Sequence, residues 1–112
     1  MRTLRDPVRQ KTKVRIPRKK LVEFCRRWKI AEMALFGSVL RDDFRANSDI
    51  DILVSFKPKA RISLFDMLRM QNELKELFGR DVDLVERTAI EKNENYIRRK
   101  SILEHTKVIY AA

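Results

Sequence analysis

Apolar and polar positions alternate along this chain in two rhythms, one helical and one extended. Leu21, Val22, Phe24, Cys25 and Trp28 recur at spacings of three and four, which predicts a helix whose first turn suits Pro17. Residues 32–36 (Glu-Met-Ala-Leu-Phe) then read as a strand that Gly37 ends, and Ser38 is a good N-cap for a short helix over roughly residues 39–44. After a polar loop at 45–48, residues 49–56 form a second strand. Period two places Ile50, Ile52 and Val54 on one of its faces and Asp49, Asp51, Leu53 and Ser55 on the other. Lys57-Pro58-Lys59 breaks the pattern. A long helix follows over 63–78, with Leu64, Met67, Leu68, Gln71, Leu74, Leu77 and Phe78 as its buried stripe. Ser63 with Asp66 resembles a capping box with Asp in place of Glu, and Gly79 is placed as a C-terminal cap. Residues 81–85 give a third strand, 90–104 a less periodic helix, and 107–110 a short final strand. Strands alternating with helices indicate an α/β or α+β domain.

Composition narrows this further. A chain of 112 residues has room for one small domain with a modest core. No apolar run approaches the roughly 20 residues of a membrane span, and the basic N-terminus lacks the apolar region of a signal peptide. The single Cys25 forms no internal disulfide, which fits a reducing cytoplasm, and its apolar neighbours make it a buried structural thiol. One cysteine and one histidine (His105) leave no zinc site to argue for. The net charge of +10 is concentrated: residues 1–20 carry nine Lys or Arg against Asp6 alone. Residues 1–16 therefore read as a basic, poorly ordered arm and 17–112 as the folded domain. The arm offers a surface for operator DNA or an acidic partner, although no aromatic residue precedes Phe24 to stack on bases.

The chemistry concentrates between Leu35 and Val54. Asp49 and Asp51 stand at i and i+2 on one strand face, and like charges held side by side are costly unless something offsets them. A divalent cation is the usual remedy, because hard ions such as Mg²⁺ take carboxylate and phosphate oxygens together. Gly37-Ser38, at a strand-to-helix turn just upstream, offers backbone N–H groups to a phosphate. Metal ligands beside a phosphate cradle point to nucleotide chemistry.

Gly37-Ser38, then ten residues, then Asp49-x-Asp51, with a later Val82-Asp83-Leu84-Val85, resembles the minimal nucleotidyltransferases (MNT proteins) of the DNA polymerase beta superfamily. The resemblance runs from about Leu21 to Tyr110 and implies a small mixed β-sheet with helices packed on one side. It implies Asp83 as the third carboxylate, a metal ligand or the base for the incoming hydroxyl, with Asp81 on the same face as its competitor. It also implies two Mg²⁺ ions, ATP as substrate, Gly37 and Ser38 against the triphosphate, and Arg41 as a basic position that contacts phosphate or pairs with Asp42 or Asp43. Asp42 departs from the pattern, which has Gly there, so the family's exact loop path does not carry over to this stretch, whereas its metal site does. Ser48 reads as a brace for the loop, His105 as a surface or packing residue and Trp28 as core.

The implied reaction moves a nucleoside monophosphate from an NTP to a hydroxyl, with the protein supplying positioning and charge neutralisation. No second domain to hold an acceptor is expected in so short a chain, so a partner supplies it. Within the family this resembles the antitoxins of HEPN toxins, which adenylylate a toxin tyrosine in type VII toxin–antitoxin systems. Two rivals stand beside this: an antibiotic-type enzyme with a small-molecule acceptor, and a module that only binds toxin or DNA.

Overall fold

The computed structural model describes residues 15–40, 49–92 and 94–112. Most of the basic arm, the loop at 45–48 and most of the short helix expected over 39–44 lie outside the described residues, as do Arg41, Asp42, Asp43, Ser48 and the side chain of Ser38.

Helix α1 (Arg18–Arg27) opens the described chain, its first intrahelical bond running from the Leu21 N–H to the Pro17 carbonyl at 2.9 Å. Pro17 thus sits one residue before the helix rather than inside its first turn. Strand β1 (Ile30–Phe36) leads through one 3₁₀ turn (Gly37–Leu40), and β2 (Ile50–Phe56) returns antiparallel to it. Helix α2 (Leu64–Phe78) begins at the expected capping box, with Ser63 Oγ and the Asp66 carboxylate each accepting the other's backbone N–H. It ends at Gly79, whose φ of 72° is the left-handed conformation that glycine adopts without penalty. Strand β3 (Val82–Glu86) runs parallel to β2.

The single helix expected over 90–104 is two: α3 (Arg87–Glu91) and α4 (Tyr96–Glu104). Asn95 explains the second start, because its side-chain oxygen accepts the Arg98 N–H at 3.1 Å and caps a new helix. Strand β4 (Thr106–Ala111) closes a four-stranded mixed sheet in the order β3-β2-β1-β4.

The main core lies between one sheet face and helices α1 and α2. Leu21, Phe24 and Cys25 of α1 and Met70 and Leu74 of α2 bury against Met33, Leu35, Ile50, Ile52, Val54, Val82 and Leu84. The packing of α1 and α2 on one side of a mixed sheet is as expected. The opposite face adds a smaller cluster, where Phe36, Leu53 and Ile90 pack with Val85, Ile102 and Leu103, bringing α3 and α4 over that side. Two stripe positions of α2 depart from expectation: Leu64 is 78% exposed and Leu68 52%. Met70 takes the buried place instead, on the helix face that also sets Met67, Leu74, Leu77 and Phe78 against the core. Gln71, also read as part of the stripe, has a polar role, its side-chain oxygen accepting the Leu84 N–H of edge strand β3 at 3.0 Å. Trp28 packs against the core while its ring N–H donates to Glu73 at 3.1 Å. No helix among the described residues is long and apolar enough to cross a membrane.

Candidate active site

The site is built by the alternation of β2 and β3. Ile50 and Ile52 turn towards α1 and α2, so Asp51 between them turns to the opposite face. On β3, Val82 and Leu84 are buried in the main core and Asp83 is exposed on the other side. The parallel register pairs Asp51 with Asp83 directly. Residues paired on neighbouring strands sit about 4.8 Å apart along the hydrogen-bonding direction, so the two carboxylates leave one sheet face side by side. Adjacent like charges destabilise a sheet unless a cation or a set of donors compensates.

Asp49 is exposed and immediately precedes β2. Asp81, the competitor for the third carboxylate, lies just before β3; its carbonyl accepts the Ile50 N–H at 3.0 Å and its side chain is 3.9 Å from Lys75 Nζ on α2. The structure therefore sets Asp83, and not Asp81, in register with Asp51. Among the described residues no three His, Cys, Asp or Glu side chains gather closely enough to hold a metal ion by themselves. Asp49, Asp51 and Asp83 thus border one region without closing on a common point.

Gly37 is constrained twice. Its φ of +75° is a conformation that side chains disfavour, and a Cβ there would collide with the carboxylate of Asp51. The sequence pattern assigns the glycine to close approach of a triphosphate, and the structure adds close approach to the carboxylate. Only a residue without a side chain lets the turn after β1 fold over the end of β2.

A cleft of about 840 Å³ opens at this point between the strand ends and α4. Phe36, Gly37, Leu40 and Asp51 line one side, and Asn95, Ile97, Arg98, Ser101, Ile102 and His105 the other. Sequence reasoning missed Asn95 and Arg98. The run Arg98-Arg99-Lys100 is visibly basic, but nothing in the chain places it opposite an aspartate 47 positions earlier. His105 is exposed, as expected, and its Nδ1 lies 2.8 Å from the Ser101 carbonyl oxygen at the edge of the cleft. Cys25 is fully buried in the main core, and that desolvation pushes its thiol up to about 12, away from any nucleophilic role at neutral pH.

Residues 18–109 match the family model for the nucleotidyltransferase domain. A Methanocaldococcus jannaschii relative, MJ1217, provisionally named a protein adenylyltransferase, is 36% identical over 78 residues, which cover 70% of this chain and 74% of that protein. The protein adenylyltransferase MntA of Thermococcus cleftensis is 34% identical over 68 residues, covering 61% of this chain and 67% of its own length. Among solved structures, a toxin–antitoxin complex with AMP-PNP superposes with a TM-score of 0.64 at 21% identity, covering 87% of this chain and 75% of that one. A second holds a tri-AMPylated Shewanella oneidensis HEPN toxin with its MNT antitoxin, with a TM-score of 0.56 at 21% identity over 85% of this chain and 70% of that one. At that level of identity the structural likeness establishes the fold.

Proposed function

The chain belongs to the nucleotidyltransferase domain family, and on that premise we propose that it transfers AMP from ATP to a tyrosine hydroxyl of a HEPN-type toxin, acting as the antitoxin of the pair. The observation that carries this reading is the pairing of Asp51 with Asp83 on neighbouring strands, with Asp51 against Gly37 and lining a cleft. The chemical class of the acceptor is drawn from the relatives, whose names specify a protein as the molecule adenylylated. A HEPN toxin as partner follows the Shewanella oneidensis complex.

In the reaction the acceptor oxygen forms a bond to the α-phosphorus, the bond from that phosphorus to the bridging oxygen breaks, and pyrophosphate leaves. The hydroxyl proton must pass to a base. Asp83 is exposed and in register with Asp51, which supports it as the base for that proton or as a second carboxylate on a shared cation. Asp49 and Asp51, with Asp83, are the residues that would hold Mg²⁺. The donor set fits: hard carboxylate oxygens from few side chains suit an ion that draws its remaining ligands from substrate phosphates and water. When bound, the ion neutralises charge on the transferring phosphoryl group. Gly37 and Ser38 present backbone to the phosphates, and the 840 Å³ cleft is of a size that takes a nucleotide.

The test is incubation of the full chain with Mg²⁺, α-labelled ATP and a co-encoded helical toxin, beside an Asp49→Asn/Asp51→Asn control. Label on a toxin tyrosine, absent in the control, is the expected result. Label confined to a small molecule, or neutralisation of the toxin that survives the double substitution, sinks the proposal.

A further inference from the structure

Cations border several cavities among the described residues, and two of these cavities differ in what faces the cations. Arg18, Arg26 and Lys57 line a groove of about 690 Å³ between α1 and β4. Among the described residues no carboxylate side chain and no glycine line that groove, and the Arg18 guanidinium is engaged with the Ile109 carbonyl at 2.8 Å. Arg98 lines the other cavity, the cleft of Gly37 and Asp51, where it is the sole Lys or Arg among the described lining residues.

We propose that Arg98 binds the β- and γ-phosphates of the nucleotide, the part that leaves as pyrophosphate. The proposal rests on the adenylyl-transfer reading of the same cleft and adds the residue that selects a triphosphate. A nucleoside triphosphate entering beside Asp51 and Asp83 adds further negative charge to a face that already carries two carboxylates. The reacting α-phosphorus belongs at the carboxylate side, and the remaining phosphates then extend away from it, towards the wall that α4 supplies. Arg98 is the permanent cation on that wall.

Its placement is specific. The Arg98 N–H is held by Asn95 Oδ1 at 3.1 Å, which fixes the base of the side chain in the first turn of α4. The next two residues are directed elsewhere, since the Arg99 guanidinium and the Lys100 ammonium lie over the Tyr96 ring at 5.4 and 5.9 Å from its centroid. A guanidinium presents a planar fork of donors that matches phosphate oxygens two at a time, which an ammonium does not. The helix break at Asn95 therefore has a consequence for function, since a continuous helix over 90–104 would not start a turn at this point.

The experiment is calorimetric titration of ATP and of AMP, each with Mg²⁺, into the full chain as wild type, Arg98→Gln and Arg98→Lys. Loss of a charge-assisted phosphate contact predicts an ATP Kd raised about 10- to 100-fold in Arg98→Gln. The AMP Kd should stay within about twofold, Arg98→Lys should recover part of the loss, and thermal unfolding should be unchanged in both variants. ATP binding by Arg98→Gln at wild-type strength overturns the proposal and leaves the adenylyl-transfer reading standing. Equal weakening of ATP and AMP overturns it too, because a residue for the leaving phosphates discriminates between them. A wild-type chain that binds neither nucleotide removes the underlying reading and the Arg98 assignment with it.

Discussion

The two faces of this sheet are made by the same strands and have opposite roles. On the α1/α2 face, Ile50, Ile52 and Val54 of β2 and Val82 and Leu84 of β3 disappear under Phe24, Met70 and Leu74. On the α3/α4 face, the residues between them are Asp51, Leu53, Asp83 and Val85, covered only in part by Ile90, Ile102 and Leu103. One face is dry and closely packed; the other holds a cleft, two paired carboxylates and a small apolar cluster that seats α4. Because side chains alternate along a strand, each buried residue on the first face fixes which of its neighbours points to the second. A one-residue slip of β3 would bury Asp83 and expose Leu84, so the core enforces the register on which the carboxylate pair depends. Stability on one side thus serves as the positioning device for chemistry on the other.

This division is open to four tests. Leu74→Ala removes a fully buried side chain beneath the first face and should lower unfolding stability by about 2–5 kcal/mol, read by chemical denaturation. A loss well below that range would mean that the first face is not the main source of stability. On the second face, Asp83→Asn should reduce transfer by about 10²–10³-fold while leaving thermal unfolding almost unchanged. Asp81→Asn, which loses only an exposed 3.9 Å contact with Lys75, should remain active. If the two substitutions exchange effects in a label-transfer assay, the register argument fails.

The buried thiol gives a pH-dependent test of the first face. Burial raises Cys25 from 9.0 to about 12, so above pH 9 the unfolded chain loses a proton that the folded chain keeps. Its effect on stability is nil below pH 9 and becomes a progressive loss between about 9 and 12. Cys25→Ala should flatten that alkaline limb relative to the wild type, as measured by denaturant midpoints across the range. The smallest effect is expected at the edge of α2, where Phe65 is 78% exposed beside Leu64 and Leu68. Phe65→Ser should change stability by no more than about 0.5 kcal/mol, because so exposed a side chain has little packing to lose. A larger loss in thermal unfolding would show that the patch is covered.

Periodicity and local chemistry were enough for most of the elements, though not for the break that divides α3 from α4. The Ser63–Asp66 capping box, the left-handed Gly79, the alternation of β2 and the burial of Cys25 all depend on residues within a few positions of one another. The Gly37-Ser38…Asp49-x-Asp51 spacing indicated the chemistry for the same reason, since a turn and a strand face are local objects. Long-range contact decided the rest. The pairing of Asp51 with Asp83 needed the β2–β3 register, and the exposure of Leu64 needed the position of α2 over the sheet. The steric demand on Gly37 needed the approach of the Asp51 carboxylate. The second wall of the cleft was the furthest from reach: α4 is weakly periodic, begins at an asparagine cap, and brings Arg98 to the cleft of Asp51 where Ile102 and Leu103 pack with Phe36 and Leu53. Local sequence sets which backbone and side-chain conformations are cheap, whereas the meeting of two distant side chains is set by the burial of others between them.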